Sequence, residues 1–137
     1  MAYEIPNFFV GVFPANIDMS NEATFQFCGV GIGAATGSVQ GTGTGGAALI
    51  AVTAQGQNIL GILQNNPLQG DAGNVMEHGV SKAQAGAAVA TIGTLLMVNA
   101  SGQFIPVTAG NNAVAMALES AASGDVFTVL VKPFGKQ

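Results

Sequence analysis

The segment Leu49-Ile50-Ala51-Val52-Thr53-Ala54-Gln55-Gly56-Gln57 returns as Leu95-Leu96-Met97-Val98-Asn99-Ala100-Ser101-Gly102-Gln103. Farther on, Leu60-Gly61-Ile62-Leu63 with Gly70-Asp71 returns as Val114-Ala115-Met116-Ala117 with Gly124-Asp125. The second copy is the longer one, its extra residues lying around Ile105 to Asn112. Each copy reads as strand, Gly turn, strand, Gly-Asp turn, strand, and the closing strands are expected at Asn74 to Val80 and Val126 to Val131. A repeat of this kind narrows the fold sharply. One hairpin unit is marginal in water, whereas two packed together can share a core. The expected fold is all-β: a compact antiparallel β-sandwich or small barrel of two pseudo-repeated units, about 47–82 and 93–132, with an extended N-terminal arm and little helix.

Helix signals are weak because glycine recurs too often, each internal Gly costing about 1 kcal/mol against Ala. The one stretch able to make a helical turn is Ser81 to Ala90, with Ser81 as N-cap, and Gly86 and Val89 weigh against it. Ahead of the repeat the chain divides in two. Residues 1–27 hold Phe8, Phe9, Phe13, Phe25 and Phe27 together with Pro6 and Pro14, and read as an extended aromatic arm. Residues 28–46 carry Gly29, Gly31, Gly33, Gly37, Gly41, Gly43, Gly45 and Gly46, and read as a Gly-rich connector. Residues 47–137 form the β-rich domain.

Charge then limits what the surface can do. Only 7% of residues are charged, against about 25% in an ordinary soluble domain. None occurs from Ala23 to Gly70 or from Ala83 to Leu118. Small and amide residues must cover much of the surface, and other protein chains are expected to cover part of the rest. A net charge of −4 with no arginine argues against nucleic-acid binding, which draws on Lys and Arg. The mean hydropathy is positive, yet the best apolar window, Ala83 to Val98, is interrupted by Gln84, Gly86, Thr91, Gly93 and Thr94, so no membrane span is expected. The start of the chain carries Glu4 and no basic region, which does not read as a secretory signal. A single cysteine, Cys28, allows no intramolecular disulfide and suits a reducing compartment.

The chemistry-bearing residues do not assemble into a site. Phe25-Gln26-Phe27-Cys28-Gly29-Val30-Gly31-Ile32-Gly33-Ala34 has the letters of a dinucleotide fingerprint, but no acidic residue follows until Asp71, and glycines stand where a helix should begin. His78 is the only histidine, and with Cys28 alone it cannot build a zinc site. His78 is expected at a surface or interface, and Cys28 as a small buried hydrophobe. Asp71 and Asp125 sit at equivalent places in the repeat and read as turn residues beside Gly70 and Gly124, as Gly56 and Gly102 do in the earlier turns. No catalytic, cofactor-binding or metal-binding residue is expected, and the chain does not read as an enzyme.

The run Asn58 to Pro67 with Gly70-Asp71, Val75 and Gly79-Val80-Ser81-Lys82 resembles the capsid cement (head decoration) proteins of tailed bacteriophages. So do Gly93-Thr94-Leu95-Leu96, Ala100-Ser101-Gly102-Gln103 and the run from Val114 through Gly124-Asp125 to Val131. The likeness covers about Ala47 to Lys132. It implies a β-rich, commonly oligomeric module on the outer capsid surface, with the major capsid protein and other copies of itself as partners. A homotrimer is expected, a dimer being the other stoichiometry, and the chain would be made in the host cytoplasm. Ile5, Phe8, Phe9, Val10, Val12 and Phe13 are the candidate capsid-contact residues, since an extended apolar arm can add to a sheet edge. Phe25 and Phe27 have the alternative of completing the domain core. Two other readings stand beside this one: another virion component (minor coat, fibre or tail protein), and a ligand- or carbohydrate-binding β module, which the lack of Trp and the single Tyr3 disfavour.

Overall fold

Alternation of buried and exposed residues runs through the long strands. Phe127, Val129 and Val131 point inward while Thr128, Leu130 and Lys132 do not, which is the period-2 pattern of a half-buried strand. A computed structural model describes residues 10–35 and 46–137. Its elements are β1 (Val10–Pro14), α1 (Glu22–Phe25), β2 (Gly29–Ala34), β3 (Ala47–Ala51), β4 (Gly61–Leu63), β5 (Ala72–Met76), β6 (Gly79–Gln84), β7 (Leu95–Val98), β8 (Phe104–Pro106), β9 (Asn112–Ala117) and β10 (Val126–Lys136). They make two antiparallel five-stranded sheets, ordered β1-β5-β4-β2-β3 and β6-β10-β9-β7-β8. The fold is therefore the all-β sandwich of two pseudo-repeated units, each sheet having the same strand order.

Each sheet curls until its outer strands meet. Just past β1, Ala15 makes a parallel bridge to Leu49 of β3, and just past β6, Ala85 makes the matching bridge to Phe104 of β8. The same backbone hydrogen bonds hold both closures: Asn16 N–H to the Leu49 carbonyl at 2.9 Å, and Gly86 N–H to the Phe104 carbonyl at 2.8 Å. The first unit encloses Ala15, Met19, Val30, Leu49, Leu63 and Val75, with Phe13 and Phe25 packed against them. A larger core fills the second unit around Phe104, Leu96, Phe127 and Val129, and takes in Val52 and Ile62 from the first.

The ladder sets the repeat differently from the sequence match in its earlier part. Leu49 of β3 stands opposite Ile32 as Phe104 of β8 stands opposite Val98. The structural counterpart of β3 is thus β8, and that of β7 is β2. The letters align β3 with β7 because each is an apolar run leading to a glycine at positive φ, Gly56 (72°) and Gly102 (77°). The later part agrees: Gly70 (87°) and Gly124 (91°) hold the turns before β5 and β10.

Of the stretch 1–27, the described residues give extended backbone at β1, which pairs with β5 from Val10–Met76 to Pro14–Ala72. Of the Gly-rich stretch 28–46, Gly29–Ala34 forms β2 between β4 and β3. Its glycines admit close neighbours: a Cβ at Gly29 would come within 2.9 Å of Val98 Cγ1. Ser81 to Ala90 is not helical; its first residues lie in β6. The one α-helical turn among the described residues, Glu22–Phe25, starts at Asn21, whose side chain accepts from the Ala23 N–H at 3.1 Å.

Candidate interaction surface

The titratable residues singled out by the sequence are kept apart. Cys28 is buried, and burial pushes its thiol up to about 12, so the nucleophilic thiolate is scarce at neutral pH. His78 is exposed in the short connection between β5 and β6. Asp71 and Asp125 hold equivalent turns, their carbonyls accepting from the N–H groups of Ala15 and Ala85 at 2.9 and 2.8 Å. The Asp125 carboxylate accepts from the Ala122 N–H at 2.9 Å. The Ser20 hydroxyl and N–H hold the Asp18 carboxyl below its ordinary pKa. Among the described residues no three His, Cys, Asp or Glu side chains could hold a metal ion together, and no helix is long and apolar enough to cross a membrane.

A thiol reagent should therefore leave Cys28 unmodified in the native protein at neutral pH and label it promptly in denaturant. Cys28→Ser and His78→Ala should both retain partner binding. Complete loss of binding in a folded variant of either would place that residue at a functional contact.

Apolar side chains at the surface are the candidate contacts. Ile5, Phe8 and Phe9 lie outside the described residues. Val10 is in β1; Val12, one pleat on, is 59% exposed, whereas Phe13 packs on the first unit's core. The other exposed large hydrophobics of the described residues are Ile17, Ile32, Leu68, Ile92 and Val126. Phe25 and Phe27 pack on the two cores, Phe25 on the first and Phe27 on the second.

Phe27 marks the joint between the units. It is the one non-glycine at positive φ among the described residues (60°). Its carbonyl accepts from the Gln84 N–H at 2.9 Å, and its ring lies 5.7 Å beneath the Lys82 ammonium. Around it, Gln84 Nε2 donates to the Gln26 carbonyl at 2.7 Å and Gln64 Nε2 to Ser81 Oγ at 2.9 Å. Two turns lock the other side: Gly29 N–H donates to the Gly102 carbonyl and Gly56 N–H to the Val98 carbonyl, both at 2.8 Å. Sequence reasoning did not find this joint, because its polar partners are single amides from distant segments. The resulting body is closed, charge-poor and studded with apolar side chains, suited to binding other protein surfaces.

No curated protein matches the chain. Among solved structures, the crystal structure of the head fiber gp8.5 N base of bacteriophage phi29 is similar, with a TM-score of 0.66 at 14% identity, covering 94% of this chain and 97% of that one. A likeness at that identity speaks for the shared fold. The family described as phage cement protein matches residues 23–133. That span takes in nine of the ten strands of the described residues, from β2 through most of β10, and the chain belongs to the phage cement protein family.

Proposed function

We propose that the protein binds the outer surface of a tailed-phage capsid as a homo-oligomer and stabilises the shell by bridging coat-protein subunits. The observation that carries this reading is the cement family match over residues 23–133. The physics supports it from a second side. A body with 7% charged residues and six exposed large hydrophobics among its described residues is built for protein contacts. Stabilisation follows by linkage: a ligand that binds the assembled shell and not its opened subunits shifts the balance toward the shell. Ile5, Phe8 and Phe9, ahead of β1, are proposed as apolar anchors, each buried Phe contributing roughly 1.5–3 kcal/mol. A trimer suits local three-fold and quasi-three-fold sites of a coat lattice.

Undecorated, expanded heads titrated with the purified protein should show saturable binding that changes little between low and high salt, because the proposed contact is apolar. Deleting residues 2–9 should abolish that binding and leave β1 and the folded body intact. Normal decoration by the truncated protein would move the contact to the described body. A second reading, the base of a head fibre, is favoured by the fold likeness to the phi29 fibre base. A projecting shaft on the bound oligomer in a head reconstruction would select it.

A further inference from the structure

The two units correspond position by position. Val12 pairs with Asn74 as Lys82 pairs with Thr128. Ile32 pairs with Leu49 as Val98 pairs with Phe104. The Phe27 N–H donates to the Leu63 carbonyl as the Gly93 N–H donates to Ala117, both at 2.8 Å. Residue 26 of the first unit therefore corresponds to residue 92 of the second. The cross-strand row Gly29–Ile62–Met76 corresponds to the row Leu95–Met116–Leu130.

The internal joint brings two kinds of surface together. The second unit contributes Lys82 and Gln84 on its first strand and Val98 beside the Gly102 turn. The first unit contributes Gln26, Phe27 and the row centred on Ile62, which is fully buried and continuous with the second unit's core. Each unit owns both surfaces, so one of each is left over. On the first unit the leftover positions are Val12, 59% exposed where Lys82 lies over Phe27, and Ile32, 42% exposed where Val98 is fully buried. On the second unit they are Ile92, 68% exposed where Gln26 is bonded, and the row Leu95, Met116 and Leu130, each only half-buried. The polar partners of the inner joint are thus replaced by apolar ones at the leftover surfaces, and Pro14 stands where Gln84 donates its N–H. Half of the exposed large hydrophobics of the described residues fall on these positions.

We propose that these two surfaces bind each other between copies of the chain, the Val12–Ile32 face of one copy seating on the Ile92–Met116 face of the next. The occupant is a second copy because the chain already contains the same contact between its own units. Such a contact is heterologous: residue i of one copy meets residue j of another, and the copies close into a ring when the rotation permits. It supplies the copy-to-copy contact for the oligomer proposed above, and it forms without a capsid.

The test is run on the purified full chain without heads, so its failure is distinguishable from failure of head binding. Light scattering on a sizing column should give a defined oligomer for the natural chain. Val12→Glu and Ile92→Glu, both at exposed positions, should each run as single chains with unchanged circular dichroism. Val12→Cys and Ile92→Cys variants mixed together should join through a bis-maleimide linker, and neither should join to itself alone. A single-chain mass for the natural protein, self-linking of the Val12→Cys variant alone, or an oligomer that survives both glutamates would each overturn the proposal.

Discussion

Gly102→Ala should destabilise the protein by about 3–4 kcal/mol, and Gly124→Ala by only about 1 kcal/mol, although both glycines have left-handed backbone, at 77° and 91°. The shared part is conformational, since a side chain in this region costs roughly 1–2 kcal/mol. The difference is the joint. At Gly124 a Cβ meets nothing within 4 Å, whereas at Gly102 it would lie 2.6 Å from the Gly29 carbonyl oxygen. Relieving that contact pulls the Gly102 carbonyl from the Gly29 N–H, and a donor left unpaired in a buried place costs roughly 1–3 kcal/mol more. Urea unfolding of the two variants reads the contrast directly. Equal losses would mean that the joint contributes little to the fold.

The second large effect lies inside the first unit. Phe13 and Gly73 are direct cross-strand partners, as are Ala83 and Phe127 at the same place in the second unit. The aromatic ring has changed strands between the two units. Its surroundings have changed with it: Leu63 and Leu49 near Gly73 correspond to Ala117 and Phe104, which share the second unit's core with Phe127. Phe13→Ala should cost about 2–3 kcal/mol, below the roughly 3–5 kcal/mol of a fully buried Phe because the ring is only half-buried. Gly73→Phe alone should also destabilise, because even a Cβ there runs into Leu49 Cδ1. Combined with Leu63→Ala, the two changes restore the second unit's placement of large and small residues except at Leu49, which still meets the new side chain, and should recover part of the loss. Additive losses in the triple variant would show that the units fill their interiors by unrelated rules.

The same exchange of large for small explains what the sequence conceals. The later half of the repeat is legible because Gly70-Asp71 and Gly124-Asp125 impose one turn geometry that only a few residues tolerate. The relation of β1 to β6 is hidden, since Phe13 against Ala83 and Val12 against Lys82 share no letters. What they share is a place in a ladder. β2 is concealed for another reason. Gly29 and Gly31 look like a flexible connector, yet their missing side chains are what lets Val98, Ile59 and Ile50 approach. For Cys28, His78 and the paired turn aspartates the sequence suggests no site, because no catalytic or metal partner lies near them in the chain. The joint at Phe27 could not be found that way, because a phenylalanine held at φ 60° is not expected from its type.

The claim that this chain decorates a capsid is tested most directly by cryo-electron reconstruction of undecorated heads incubated with the protein, alongside their rupture temperature. Density for pairs of five-stranded units on the outer surface, where coat subunits meet, with heads that rupture at higher temperature, is the predicted result. Heads that remain bare at saturating protein, or density confined to the inside of the shell, would contradict it.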